Sequence, residues 1–189
     1  MTHRGTVLLE TERLILRRFV AEDAPAMFRN WAGSEEVTKF LRWPAHSSPD
    51  VTQGVLRDWI SSYAREDFYQ WAIVPKKLGE PIGTISVVEM DEKIEKLHIG
   101  YCIGSSFWHQ GYTSEAFSGI LPFLFEEVGA GRVESQHDPE NPYSGAVMKK
   151  CGLRYEGTLR RADWNNRGIV DACLYALLRE DYEKLPGKR

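Results

Sequence analysis

The segment Phe107-Trp108-His109-Gln110-Gly111-Tyr112-Thr113-Ser114-Glu115-Ala116 joins a strand-like run to the start of an apolar-periodic helix through a short polar turn. Backbone N–H groups in such a turn and in the first helical turn lack intrahelical partners. The helix dipole adds partial positive charge there, so residues 110 to 114 can cradle a pyrophosphate without a lysine. Gly111 lets the backbone approach the anion closely. About one strand later stands Asn141-Pro142-Tyr143-Ser144. Ser144 reads by itself as the N-cap of a short helix, and Asn141 before proline as a turn former.

The elements that must position these residues follow from periodicity. Leu14 and Leu16 share one face within a first strand spanning Leu8 to Phe19. Asp23 and Pro25 open a helix with apolar residues at Ala24, Met27, Phe28 and Trp31, and a second early helix carries Val55, Leu56, Trp59, Ile60 and Tyr63. Tyr69 to Val74 and Ile82 to Met90 form a hairpin, and Leu97 to Ile103 is the strand that feeds the phosphate-binding turn. Phe117, Ile120, Leu121, Leu124, Phe125 and Val128 mark a strong helix, which Pro122 should kink unless the local geometry adjusts, and Gly129-Ala130-Gly131 closes it. Arg132 to His137 is a short strand, and Ser144 to Lys150 a short helix stopped by Gly152. Leu153 to Arg160 and Val170 to Leu178 pair around a loop at Asp163 to Gly168. The order is mixed α/β, with no repeat or linker, and residues 1–189 read as one domain.

Composition limits the partners. The chain has 189 residues, 42% hydrophobic and 27% charged, enough for one core of ordinary size. A net charge of −3 and a pI of about 6.0 argue against a nucleic-acid footprint. No run of 18 apolar residues and no apolar leader follows Met1, so a cytoplasmic protein without a membrane segment is expected. Cys102, Cys151 and Cys173 are few and far apart, and His3, His46, His98, His109 and His137 show no ligand spacing, so neither a disulfide framework nor a metal site is expected.

Six stretches, taken in order, resemble the GNAT acetyltransferases, in the branch that contains the ribosomal-protein alanine and serine N-acetyltransferases. They are Thr11-Glu12-Arg13-Leu14-Ile15-Leu16-Arg17, Ile99-Gly100-Tyr101, Gly111-Tyr112-Thr113-Ser114-Glu115-Ala116, Asn141 with Ser144, Lys150-Cys151-Gly152-Leu153, and Glu156-Gly157-Thr158-Leu159-Arg160 followed by Asp171 and Tyr175. The resemblance covers nearly the whole chain. Its pyrophosphate motif falls on Trp108 to Thr113, with His109 where the branch often has glycine and Thr113 in place of a small final residue.

The resemblance implies a central, mostly antiparallel sheet flanked by helices and splayed between the family's fourth and fifth strands, here Tyr101 to Ile103 and Arg132 to His137. The pantetheine arm of acetyl-CoA would lie in that gap on the backbone of Tyr101, Cys102 and Ile103, with the pyrophosphate on Gln110, Gly111, Tyr112, Thr113 and Ser114. Cys102 could suggest an acetyl-cysteine route, but a buried core thiol is the better reading because the family transfers directly. Ser144 would stabilise or protonate the departing thiolate, and Asn141 would contact the pantetheine.

Direct transfer needs a neutral amine, and Glu89, Glu134, His98 and His137 on or near central strands are the candidate bases. An α-amine of pKa near 8 is roughly 10% neutral at pH 7 and a lysine below about 0.1%, so deprotonation costs about 1.4 against about 4.6 kcal/mol. With no obvious strong base, a protein N-terminal α-amine is favoured as acceptor, ribosomal-protein type. A small amine such as a polyamine or an antibiotic, or a non-catalytic acyl-CoA-binding role, are the alternatives. Trp31, Phe40, Trp43 and Tyr63 could line an acceptor groove or belong to the core. Glu35, Glu36, Glu66 and Asp67 could attract a basic substrate but read more simply as a solvated face. An exposed sheet edge could support a homodimer.

Overall fold

A computed structural model describes residues 1–185. Alternating apolar side chains build eight strands: β1 (Leu9–Glu10), β2 (Leu14–Arg17), β3 (Gln70–Pro75), β4 (Gly83–Asp91), β5 (Lys96–Ile103), β6 (Arg132–His137), β7 (Arg154–Asn165) and β8 (Gly168–Leu178). They form one sheet in the order β1-β2-β3-β4-β5-β6-β8-β7, and β5–β6 is its parallel pair. The expected mixed α/β, mostly antiparallel architecture is the one observed.

The first strand differs from expectation. Leu8 to Phe19 is broken at Thr11, whose N–H donates to Leu14 O at 3.0 Å while its Oγ1 accepts from Leu14 N–H at 3.0 Å, turning the chain into a small hairpin. The last hairpin is longer than expected: its strands run to Asn165 and from Gly168, leaving only Asn166 and Arg167 as the turn. Bulges absorb the extra residues, with Arg161 at φ 52° donating its N–H to Asp171 Oδ1 at 2.8 Å.

Helices cover both faces. On one, α1 (Ala24–Met27, running on as a π-helix over Phe28–Ala32), α2 (Glu35–Thr38) and α3 (Pro49–Ser62) bury Phe19, Trp31, Leu56 and Tyr63 against Ala72 and Val74. On the other, α4 (Tyr112–Pro122) and α5 (Pro142–Lys150) cover Leu14, Leu16, Trp71, Ile73, Ile85 and Ile99 with Phe117, Ile120, Leu124 and Met148. At Pro122 the helix adjusts by widening into a π-helix over Phe123–Val128, and Gly129 ends it at φ 86°. A last short helix, α6 (Arg179–Tyr182), follows β8. No helix among the described residues is long and apolar enough to cross a membrane.

The β5–β6 pair is short. It registers Lys96 with Arg132, Leu97 with Val133 and His98 with Glu134, and pairing ends there. Glu134 sits buried at that last rung, accepting from Arg132 Nε at 2.8 Å and lying 3.1 Å from His98 Nδ1 and 3.2 Å from Lys96 Nζ. Burial alone would raise its pKa, but the bonds from His98, Arg132 and Lys96 outweigh it and hold the carboxyl at about 2. Because this lies below the ordinary value of 4.5, the stabilisation is complete above about pH 4.5 and lost as the pH falls towards 2. Glu134→Gln is therefore expected to lower unfolding free energy at pH 7 by at most about 3 kcal/mol, with the deficit shrinking below pH 4.5; urea midpoints across pH measure it. A pH-independent deficit would assign the loss to packing.

Candidate active site

At the top of β5 the chain passes through a short 3-10 turn (Ser105–Phe107) into the loop before α4. His109 and Gly111 both take left-handed backbone angles, at φ 60° and 79°. A glycine suits either position, and His109 offsets its strain by setting its ring edge-on to Tyr143 of α5, centroids 4.7 Å apart. The first intrahelical bond of α4 is Glu115 N–H to Gly111 O at 3.0 Å, so the N–H groups of Tyr112, Thr113 and Ser114 precede the ladder and point out of the helix end.

Two cations flank this end. A Cβ placed on Gly111 would lie 3.5 Å from Arg13 Nη2 and 3.7 Å from Lys150 Nζ. Arg13 is fixed there: its Nε donates to Glu115 Oε2 at 2.6 Å, Nη1 donates to Gln110 O at 3.1 Å, and the guanidinium lies 4.5 Å over the Tyr112 ring. Glu115 also accepts from Thr11 Oγ1 at 2.6 Å and Arg13 N–H at 2.8 Å, which locks the β1–β2 turn to the helix start. A cavity of about 250 Å³ beside the loop is lined by Glu12, Arg13, Pro75, Lys76, Lys77 and Tyr112. Helix end, open N–H groups and paired cations together suit a diphosphate. Sequence reading named the loop but not Arg13 or Lys150, although both lie in segments it had singled out.

Beyond the Glu134 rung, β5 and β6 diverge. N–H and C=O of one residue share a strand edge, and the edges alternate along the strand. Ile99 O, on the gap side, accepts from Ser135 Oγ at 2.7 Å, and Ile103 O from Trp108 Nε1 at 2.9 Å. Tyr101 between them therefore also presents its N–H and C=O to the gap. Of the three residues expected to pair with a pantetheine, Ile103 has its carbonyl taken and Cys102 turns its backbone towards β4, leaving Tyr101. The Cys102 side chain packs towards the α1–α3 face, and burial pushes its thiol up to about 12, so it stays protonated.

Tyr101 also contributes its side chain, a role missed in the sequence. Its hydroxyl donates to Ser144 O at 2.8 Å and lies 2.9 Å from Ser144 Oγ. Burial raises the phenol far above its ordinary range, so it remains a neutral donor. Ser144 is not the N-cap. The helix starts two residues earlier because Pro142 occupies its first turn, Asn141 takes the capping position without a side-chain cap bond, and Ser144 falls on the third helical residue. Its hydroxyl is thus held beside the gap by a strand residue across from it, and the Asn141 amide is left uncommitted to the helix end.

The four candidate bases separate clearly. Glu89 is 65% exposed and paired with Lys96 at 3.2 Å. Glu134 is a deeply acidic anion held by Arg132, Lys96 and the His98 ring. His137 donates from Nδ1 to Asp138 O at 2.8 Å, and its Nε2 is buried against Gly145, where a Cβ would come within 2.4 Å of it, so the ring is a packing wedge. These surroundings favour neither Glu89 nor Glu134 as a direct base. His98 remains, with Nδ1 held by Glu134 and no protein hydrogen bond on Nε2 among the described residues. In the register Glu89, His98 and Glu134 form one row at the vertex of the splay.

The aromatic residues divide likewise. Trp31 and Tyr63 are core, the latter accepting from Phe19 N–H at 2.9 Å and donating to Gln70 O at 2.8 Å, whereas Phe40 and Trp43 are half-exposed in the loop after α2. Asp67 is paired with Arg65 at 2.9 Å, and Glu35 and Glu36 are exposed in the first turn of α2.

The acetyltransferase (GNAT) domain profile matches residues 13–154. The uncharacterized N-acetyltransferase YoaA of Bacillus subtilis is 28% identical over 172 residues, covering 91% of this chain and 97% of its own. The ribosomal-protein-serine acetyltransferase of Escherichia coli is 26% identical over 137 residues, 72% of this chain and 75% of its own. Among solved structures, the RimL ribosomal L7/L12 alpha-N-protein acetyltransferase in complex with coenzyme A superposes with a TM-score of 0.80 at 20% identity, covering 91% of this chain and 98% of that one. At that identity the match speaks for the fold alone.

Gly111→Ala places a side chain on a left-handed residue and between two cations. It is expected to raise the KM for a coenzyme-A substrate about tenfold, equivalent to about 1.4 kcal/mol, with kcat nearly unchanged. Steady-state kinetics measure this, and an unchanged KM would remove the loop from the phosphate role.

Proposed function

Because the chain belongs to the acetyltransferase (GNAT) family and is an N-acetyltransferase, we propose that it moves the acetyl group of acetyl-CoA directly onto a primary amine, with a protein N-terminal α-amine as acceptor. The observation that carries the reading is the Tyr101–Ser144 pair at the mouth of the splay, with Tyr101 backbone groups open beside it. On this reading the helix end at residues 111–114, Arg13 and Lys150 hold the pyrophosphate. Tyr101 backbone pairs with a pantetheine amide, and Asn141 contacts the same arm. The thioester sulfur then lies near Ser144 Oγ.

The neutral amine forms the new N–C bond at the thioester carbonyl, and the C–S bond breaks as the tetrahedral adduct collapses. Ser144 passes its hydroxyl hydrogen to the developing thiolate and takes a proton back from solvent water, while Tyr101, neutral and fixed, holds the serine in place through the bond to its carbonyl oxygen. The proton lost by the amine passes to His98, directly or through water, and the Glu134 anion steadies the ring on its Nδ1 side. Cys102, held protonated and turned from the gap, takes no acetyl group.

The absence of a strong base favours the acceptor that is cheapest to deprotonate. An α-amine of pKa near 8 costs about 1.4 kcal/mol at pH 7, against about 4.6 for lysine. The Escherichia coli relative, whose name gives a ribosomal protein as its substrate, supports the same acceptor class.

Thiol release from acetyl-CoA, measured with peptides beginning in Ala or Ser, lysine peptides and small amines, tests the proposal. Turnover is expected with the N-terminal peptides. Ser144→Ala is expected to lower kcat about a hundredfold with acetyl-CoA KM little changed. Turnover of small amines alone would overturn the acceptor, and full activity of Ser144→Ala would overturn the assigned acid.

A further inference from the structure

The tip of the β7–β8 hairpin makes contacts that the chemistry above leaves unused. Asn166 donates from Nδ2 to Thr38 O and to Trp43 O, both at 2.8 Å, and from its backbone N–H to Leu41 O at 3.1 Å. One residue thus fixes the stretch 38–43, which carries no strand or helix after Thr38. The same loop is held a second time through Arg42, whose Nη2 and Nε donate to Asp163 Oδ1 at 2.6 and 2.9 Å. The other Asp163 oxygen accepts from Gln136 Nε2 at 2.7 Å, two residues past Glu134 on β6. Phe40 lies under the Arg167 guanidinium, 5.6 Å from it.

The neighbours of Asn166 hold the opposite wall. Asn165 Nδ2 and Arg167 Nη1 donate to Asp138 Oδ2 at 2.9 and 3.0 Å. Asp138 Oδ1 accepts from Glu140 N–H at 2.9 Å, and its carbonyl from Asn141 N–H at 2.8 Å, at the entry to the helix that carries Ser144. Three consecutive residues therefore tie the loop after α2 to the turn before Ser144.

The position of that loop gives the contact its meaning. Helices α4 and α5 cover one face of the sheet at the splay, so an acceptor reaches the gap from the other face. Trp43 packs on the α1–α3 cluster of that other face, together with Cys102. We infer that Asn166 is a positioning residue for the acceptor, holding residues 38–43 as a fixed wall of the amine's entrance in register with Ser144. This rests on the acetyl-transfer reading. The residue acts through backbone carbonyls, so donors are what matter: an aspartate of the same size would set a carboxylate against two carbonyl oxygens.

The test compares Asn166→Ala and Asn166→Asp with the wild type by amide hydrogen exchange and by kinetics in both substrates. Exchange over residues 38–43 is expected to rise at least about tenfold in both variants, while β3 to β5 stay protected. The acceptor KM is expected to rise about tenfold and the acetyl-CoA KM to stay within about twofold, with the aspartate no milder than the alanine. Unchanged exchange would overturn the clamp, and faster exchange with an unchanged acceptor KM would overturn its role in positioning the acceptor. An aspartate that behaves as wild type would reduce Asn166 to packing and overturn it as well. If either variant loses protection throughout the sheet, Asn166→Ser, which keeps one donor, is read by the same criteria. Wild-type protein that binds acetyl-CoA and acetylates no amine would instead overturn the acetyl-transfer reading, and the exchange measurements would still decide the clamp.

Discussion

Parallel pairing between β5 and β6 ends at the rung of His98 and Glu134, and the rest of the site depends on that ending. A parallel sheet edge left open inside a protein exposes backbone donors and acceptors that must find partners. Ser135 Oγ and Trp108 Nε1 satisfy two of the freed carbonyls, one on each side of Tyr101. What remains is a single strand residue able to pair with an extended, amide-bearing ligand. Side-chain chemistry then needs only to be placed around that residue, and Ser144 comes to it from α5.

Charge is distributed to keep the two ends of the gap distinct. At the vertex, Arg132, Lys96 and His98 surround one buried carboxylate, and Arg132 extends the cluster to Glu156 at 2.6 Å. That network holds the strands together up to the point where they must part, and its anion is too well stabilised to accept a proton near neutral pH. At the far end the positive groups are Arg13 and Lys150 around an N–H-rich helix start. The net charge of −3 conceals this local excess, which is why composition alone excludes an extended basic face and says nothing about a small anion site.

Much of this was legible in the sequence where local physics decides. The turn at residues 108–111, the strong helix after it and the strand before it follow from glycine placement and the 3.6 period, and the clash of Pro122 with its helix resolves as a π-helix over Phe123–Val128. Ser144 and Asn141 are recognisable by resemblance, but the helix starts two residues before Ser144 because Pro142, with its fixed φ and missing N–H, suits the first helical turn. The break at Thr11 turns on one side-chain hydrogen bond that strand periodicity does not register. What spacing could not reach were long-range coincidences: Tyr101 meeting Ser144, Arg13 meeting Gly111, and Glu134 meeting Lys96 and His98. Each joins residues tens of positions apart, and burial and pairing, which residue type does not reveal, decide how readily a carboxylate accepts a proton.

The most direct measurement is a crystal structure of this protein with coenzyme A. The account predicts the sulfur within hydrogen-bonding distance of Ser144 Oγ, a pantetheine amide paired with the Tyr101 backbone between β5 and β6, and the diphosphate on the N–H groups of residues 112 to 114 between Arg13 and Lys150. A coenzyme bound outside the gap, or threaded through it with its sulfur remote from Ser144, would contradict it.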